Sequence, residues 1–394
     1  MSTDWDRSNQ LIVRFKTSLF IAFTATCIFM CGCSNHDVNG DVSHKPTDST
    51  WNFFRGNTIG ATGTAEDVVN VPLGQMWFFE ALDELRSSPV VSNNMVLFGA
   101  NDNNVYSIDA NNGELKWKFA TNDMVTGPLF IQDGYVYAGS FDKFLYKIDI
   151  QTGNLERRFE SGGAIKGGVC SDGVNVYFGS LDKNIYALDN KSLNPVWVFE
   201  TQDWVEATPL LYGNKIYCGS NDSNLYSIDS QSGKLEWKVE TQGSVYSTPA
   251  IDNGTLFFSS WDGHIYAVEA DNGQQKWMTR IDEQVSASPA VVGDIVIAGG
   301  MFEGNLCGLN KHTGEILWTI KTRGGFDAGA VVSGENVFVG SFDGNFYCVD
   351  PETGKIRWKK QTKGAIRASS AIANGAIYVG NKRGKFFAFT SVAN

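Results

Sequence analysis

From about residue 75 to residue 390, short apolar stretches alternate with turn-forming residues, and the alternation is periodic. The segments GSFDKFLYKIDIQTGNLERRF (139–159), GSNDSNLYSIDSQSGKLEWKV (219–239) and GSFDGNFYCVDPETGKIRWKK (340–360) share one plan. Each has a Gly-Ser-x-Asp turn, an alternating apolar segment, a Thr/Ser-Gly turn and a further short apolar-alternating run. Alternation over four to eight residues between Gly, Asn and Asp turns is the signature of half-buried strands. The pattern predicts four short antiparallel strands per unit and no long helix.

Two ladders set the period. Trp77, Trp117, Trp197, Trp237, Trp277, Trp318 and Trp358 recur at 40 or 41 residues once position 157, occupied by Arg157, is counted. A second ladder, Leu85, Val125, Ile165, Val205, Val245, Val285, Phe326 and Ile366, keeps the same spacing. Both give eight repeats. The ends complement each other: residues 367–390 supply three strands of a unit, and the segment around Gln75–Ala81 supplies the missing fourth with Trp77. Pairing them closes a ring and removes the free sheet edge that an open stack would have to cap. The sequence therefore predicts an all-β, eight-bladed β-propeller of four-stranded antiparallel blades, closed by an N-terminal strand joining the C-terminal blade and occupying residues 57–394.

The position after the second ladder breaks the repetition. It holds Arg86, Thr126, Lys166, Glu206, Tyr246, Ser286, Asp327 and Arg367. Both neighbours are constrained, yet this position takes almost every chemical type. In a propeller it lies where one blade leads into the next, near the central channel. Arg86, Lys166, Glu206, Tyr246, Asp327 and Arg367 are therefore candidates for lining a mixed-charge funnel; solvated loop residues with no ligand are the competing reading. The turn between the second and third strands projects to the same face and carries Phe141, Trp261 and Phe342. With Trp204, just before the ladder, these are candidate partner-binding residues, Trp204 first and Trp261 second. Packing of each on its neighbouring loop is the alternative.

The N-terminus changes the picture from fold to location. Arg7, Arg14 and Lys16 precede the uncharged apolar run TSLFIAFTATCIFM (17–30), and Met30-Cys31-Gly32-Cys33 follows. A short apolar segment after a basic start is expected to be a cleaved signal rather than a spanning helix. Gly32 before Cys33 resembles a bacterial lipobox, which makes residues 1–32 a lipoprotein signal peptide and Cys33 the lipidation site. Met30 stands where such boxes usually carry leucine. Residues 34–50 are polar and cannot bury enough surface to fold, so 33–56 reads as a lipidated N-terminus and flexible tether. Ser34 is consistent with outer-membrane delivery where that sorting rule operates. The expected location is a cell-envelope membrane, the outer one first.

The charge excludes one class of partner. The net charge is −11; removal of three basic and two acidic residues with the signal leaves −12. A surface of that sign repels phosphate backbones, and no Lys/Arg-rich run offsets it. Nucleic acid is not an expected partner.

Catalytic motifs are few. The cysteines of the mature body, Cys170, Cys218, Cys307 and Cys348, fall on predicted strands of different repeats, with no CxxC spacing, and read as small buried apolar residues. The histidines show no HExxH or HxxxH spacing, and there is no Walker loop, GxSxG elbow or CxxCH. The turn aspartates, Asp142, Asp182, Asp222, Asp262 and Asp343, are explained by hydrogen bonding to local backbone.

The pattern Ser107-x-Asp109-x-x-x-Gly113-x-x-x-Trp117 resembles the tryptophan-docking repeat of PQQ-type β-propellers. It recurs at Gly233/Trp237, Gly273/Trp277, Gly314/Trp318 and Gly354/Trp358. The lead-in Trp51-Asn52-Phe53-Phe54-Arg55-Gly56 resembles the W-x-x-FRG opening of secreted PQQ-like repeat proteins. Together they cover about residues 51–394. The resemblance implies that each Trp wedges between neighbouring blades, least firmly at Arg157 in blade 2 and at Leu193, which replaces the turn glycine of blade 3. PQQ-dependent dehydrogenases of this fold usually carry adjacent cysteines against the quinone, and this chain has none. The chain is also similar to the propeller lipoproteins of the outer-membrane β-barrel assembly machinery, the BamB family. That similarity implies a membrane-anchored, non-enzymatic scaffold for envelope proteins such as barrel assembly factors, with neither cofactor nor metal. A PQQ-dependent dehydrogenase, or a propeller binding a small molecule or glycan, is the alternative.

Overall fold

The computed structural model describes residues 49–56 and 62–392. The signal peptide, Cys33 and most of the expected tether lie outside the described residues.

Eight antiparallel sheets follow one another around a ring, with no helix among the described residues. Blade 1 consists of Val90–Ser92, Met95–Gly99, Asn104–Asp109 and Leu115–Ala120, running from the channel outward. Blades 2 to 7 repeat this order, and blade 8 combines Ala371–Ala373, Ala376–Gly380 and Lys385–Ser391 with the N-terminal strand Leu73–Glu80. The closure pairs Leu73 with Ser391 and Glu80 with Lys385. The ring is thus sealed by hydrogen bonds between the two ends of the chain, as the sequence predicts.

The repeated residues hold blades together and to each other. All eight residues of the second ladder are buried, at 0–1 % exposure. Each packs on the strand-end position of the preceding blade, usually glycine: a Cβ on Gly99 would lie 2.3 Å from Val125, and one on Gly340 2.1 Å from Ile366. The Trp ladder makes the joints. Trp77 Nε1 donates to Ala110 O at 3.0 Å, and a Cβ on Gly113 would meet the Trp77 ring at 2.7 Å. The same pair of contacts joins Trp117 to Ile150 O and Gly153, Trp197 to Ser230 O and Gly233, and Trp318 to Pro351 O and Gly354. The ring of one blade therefore lies flat on the turn of the next, 36 residues on. Only glycine, at φ near +70°, both makes that turn and leaves room for the indole.

The same 36-residue offset links the two departures from the repeat. Arg157 of blade 2 and Leu193 of blade 3 are the two halves of a single joint, not separate defects in two blades. Leu193 is 3 % exposed and joins the core cluster of Phe178, Tyr186 and Leu188. Lys147, paired with Arg157 across the sheet, is also buried; its Nζ donates to Asn190 O at 2.7 Å and lies over the Tyr135 and Tyr137 rings. Asn190 O is the carbonyl that an indole at 157 would have used. An ammonium has replaced the indole N–H, and a leucine fills the space of the missing ring.

The turn aspartates have structural work in six blades. Asp142 Oδ1 accepts from Phe144 N, and Oδ2 accepts from Asn122 N and from Tyr146 Oη at 2.7 Å. Equivalent tyrosine–aspartate bonds join Tyr106 to Asp102, Tyr186 to Asp182, Tyr226 to Asp222, Tyr266 to Asp262 and Tyr347 to Asp343, at 2.6–2.8 Å. Burial, and then the neighbouring carboxylate, push these phenols up, Tyr186 and Tyr347 to about 12 and the others further. A phenol raised above its unfolded value of about 10 stabilises the fold fully below that pH and loses its contribution as pH climbs through the folded value. The urea midpoint should therefore be level from pH 8 to 9.5 and fall steeply above pH 10, with phenolate absorbance appearing as tertiary circular dichroism is lost. Titration of these tyrosines at pH 10 in a folded protein would contradict the account.

The lead-in corrects the expected tether boundary. Trp51 is buried and exchanges both backbone hydrogen bonds with Val91 of blade 1. Asn52 O accepts from Ile131 N of blade 2, Thr62 O from Val291 N of blade 6, and Thr64–Ala65 adds a parallel strand to blade 7. Blades 2 and 6 stand opposite each other in the ring, so Asn52 and Thr62 are bonded to opposite sides of it. Residues 49–56 are held on the propeller by buried Trp51, by Phe53 packed against the core between blades 2 and 3, and by backbone pairing.

Candidate functional site

All eight variable positions after the second ladder line one cavity on the axis, about 360 Å³ in volume. The repeat brings them together because each blade enters the ring through the same turn. Below them, two residues further along each chain segment, a second tier includes Ser88, Thr208, Thr248, Ser288 and Ser369. These hydroxyls tie neighbouring blades: Thr208 Oγ1 accepts from Gly168 N, Ser288 Oγ from Thr248 N, and Ser88 Oγ from Ser369 N, at 2.8–3.0 Å. Phe54 of the lead-in lies at the floor.

The upper tier is partly paired within itself. Lys166 bonds Glu206, and its Nζ stands 5.7 Å from the Tyr246 ring centroid. Asp327 accepts from Ser286 Oγ at 2.7 Å. Arg86 and Arg367 both approach Glu84 Oε1, at 3.9 and 3.8 Å. Burial pushes the Tyr246 phenol up. Among the described residues, Thr126 Oγ1, Trp261 Nε1, Arg367 Nε and Ser369 Oγ are buried without a hydrogen-bond partner. The cavity is therefore polar, carries both signs of charge and keeps several donors uncommitted.

The aromatic candidates separate. Trp261 stacks obliquely on Tyr246 with ring centroids 4.4 Å apart and belongs to the funnel wall. Phe342 lies under the Arg367 guanidinium at 4.9 Å, and Phe141 is half-buried. Trp204 is 49 % exposed, with only its backbone bonded, to Asp203 and Asn221. Phe302, on a turn of blade 6, is 60 % exposed. These rings sit on different blades rather than in one grouped patch.

Sequence reasoning placed Arg55 only within the W-x-x-FRG lead-in and did not anticipate its burial, at 1 % exposure; lying outside the repeat, it has no counterpart for internal comparison. No group of three or more His, Cys, Asp or Glu stands together among the described residues. Cys170, Cys218, Cys307 and Cys348 are unpaired, and burial raises each thiol.

Fold and site together define a closed eight-bladed β-propeller with a polar axial funnel, to whose lining the N-terminal lead-in contributes Phe54. The family model described as "Outer membrane protein assembly factor BamB" matches residues 73–124, 120–199 and 194–391, and the chain belongs to that family. Among solved structures, BamB from Moraxella catarrhalis superposes with a TM-score of 0.72 at 19 % identity, over 81 % of this chain and 100 % of that one. The computationally designed Ika8 protein gives 0.72 at 18 % identity, over 80 % and 100 %. The quinohemoprotein alcohol dehydrogenase ADHIIG from Pseudomonas putida HK5 gives 0.75 at 13 % identity, over 88 % and 81 %. At these identities the structures share the fold with this chain. A search of curated proteins finds no match.

Proposed function

We propose that this chain is a membrane-anchored, non-enzymatic scaffold of the cell envelope that presents its funnel face to protein partners, among them factors that assemble outer-membrane barrels. The family match across the whole ring carries this reading. The lipobox-like Met30–Cys33 sequence supports anchoring through Cys33, and the polar residues that follow would serve as the tether. Trp204 is the proposed anchor for a partner: a large exposed ring on the rim of a rigid fold loses little conformational freedom on binding.

A photoreactive residue at position 204, in intact cells, tests the reading. Crosslinks to an outer-membrane barrel or its assembly factors are expected, with the wild-type chain in the membrane fraction and Cys33→Ser released from it. Trp204→Ala should shift stability by less than about 0.5 kcal/mol while abolishing co-purification of the partner. Normal co-purification by Trp204→Ala would remove that residue from the interface. Absence of any envelope-protein crosslink from position 204 or from Phe302 would overturn the scaffold reading.

A further inference from the structure

Beneath the funnel floor, next in sequence to the lining residue Phe54, lies a charge that no acid among the described residues answers. Arg55 is 1 % exposed. Its Nη2 donates to Pro289 O, whereas Nε and Nη1 have no hydrogen-bond partner. Burial brings the guanidinium down to about 9, which leaves it charged at neutral pH. A buried cation without a counter-ion is costly and is ordinarily paired.

Its position shows what could pair it. Gly329 replaces the side chain that six other repeats direct into the lower tier, Ser288 and Ser369 among them. A Cβ on Gly329 would lie 3.1 Å from Arg55 Nε and 3.1 Å from Ser369 Oγ. The glycine is the room that the guanidinium itself uses: Arg55 Nε packs close against Gly329, beside a second unpartnered polar atom, Ser369 Oγ. Directly above, Arg367 and Arg86 share one oxygen of Glu84 at distances too long for hydrogen bonds, and Arg367 Nε has no acceptor. Asp327, next in the ring, is bonded to Ser286. Three guanidiniums thus face two carboxylates, while Lys166 and Glu206 cancel each other. In a chain of net charge −11 the cavity is a locally positive pocket.

We propose that the base of the funnel is an oxyanion site, which takes the carboxylate or phosphate group of a small organic anion between Arg55 and Ser369 below and Arg367 above. A cavity of about 360 Å³ suits a small molecule. Charge-assisted hydrogen bonds to Arg55 Nε and Arg367 Nε would satisfy donors that the fold leaves open. The site is independent of partner capture at the rim, so failure of either proposal leaves the other standing.

Isothermal titration of the purified, signal-free chain with inorganic phosphate, and separately with acetate, tests the site. Saturable binding of at least one is expected, and which one binds distinguishes a phosphate-bearing from a carboxylate-bearing ligand. Arg55→Met and Arg367→Met should each weaken it by about tenfold or more, whereas Arg357→Met, at an outer-strand ion pair with Asp350, should not. The bound anion should raise the Tm of the wild type and leave that of Arg55→Met unchanged. If Arg55→Met does not fold, Arg367→Met decides by the same reading. No binding of either anion to the wild type, or equal binding by wild type and the Arg367→Met and folded Arg55→Met variants, would overturn the proposal.

Discussion

Trp77→Ala is expected to lower the stability of the propeller by about 3–5 kcal/mol, the range for removing a buried aromatic ring. Trp77 is 8 % exposed and belongs to the strand that closes blade 8. Its indole donates to Ala110 O across the joint to blade 1, lies flat on Gly113 and packs against Tyr378 and Phe386, with centroids 5.9 and 6.4 Å away. Alanine would leave a cavity at the seam where the two ends of the chain meet and would strand the Ala110 carbonyl. No covalent bond holds that seam, so loosening it also weakens the pairing of Leu73–Glu80 with Lys385–Ser391. Urea unfolding followed by circular dichroism measures the effect. A change below about 0.5 kcal/mol, the size of a neutral surface substitution, would mean that closure does not depend on this joint.

At the joint without a tryptophan, Lys147→Met should cost about 1–3 kcal/mol, the usual penalty for stranding a buried polar partner. The substitution keeps the apolar stem and removes the donor to Asn190 O together with the charge over the Tyr135 and Tyr137 rings. The triple change Lys147→Ser, Arg157→Trp and Leu193→Gly rebuilds the tryptophan joint of the other blades and should recover most of that loss. Burial holds the Lys147 ammonium below its usual range; what it supplies at this joint is the hydrogen bond to Asn190 O and the contact with the Tyr135 and Tyr137 rings. If the triple variant is less stable than Lys147→Met alone, the two departures are not halves of one joint.

The legibility of this protein follows from its repetition. A residue whose role recurs in eight blades is visible in one sequence because the chain aligns with itself. That is why the tryptophan ladder, the ring closure and the eight funnel positions could be read before any coordinates. The pairing of Arg157 with Leu193 was available in principle, since 77/113 and 117/153 show the same offset, but a sequence does not say that the tryptophan of one blade meets the turn of the next. Residues used once escaped. Arg55 has no counterpart in the repeats, and it stands just after the polar run 34–50 that reads as tether by composition.

The amino-acid order alone determined the number of blades, the strand plan of each and the fact that the ends must join. Those properties rest on local periodicity and on the requirement that no sheet edge remain open. Only the tertiary structure decided which funnel charges neutralise one another, which aromatic rings are committed to packing and that lead-in residues Asn52 and Thr62 bond to opposite blades. Several of these contacts, such as Lys166–Glu206 and Arg367–Glu84, join residues 40 to more than 250 positions apart, brought to a common axis by ring closure. Coulombic and packing terms fall off within a few ångströms, so their balance at that axis is set by the closed ring.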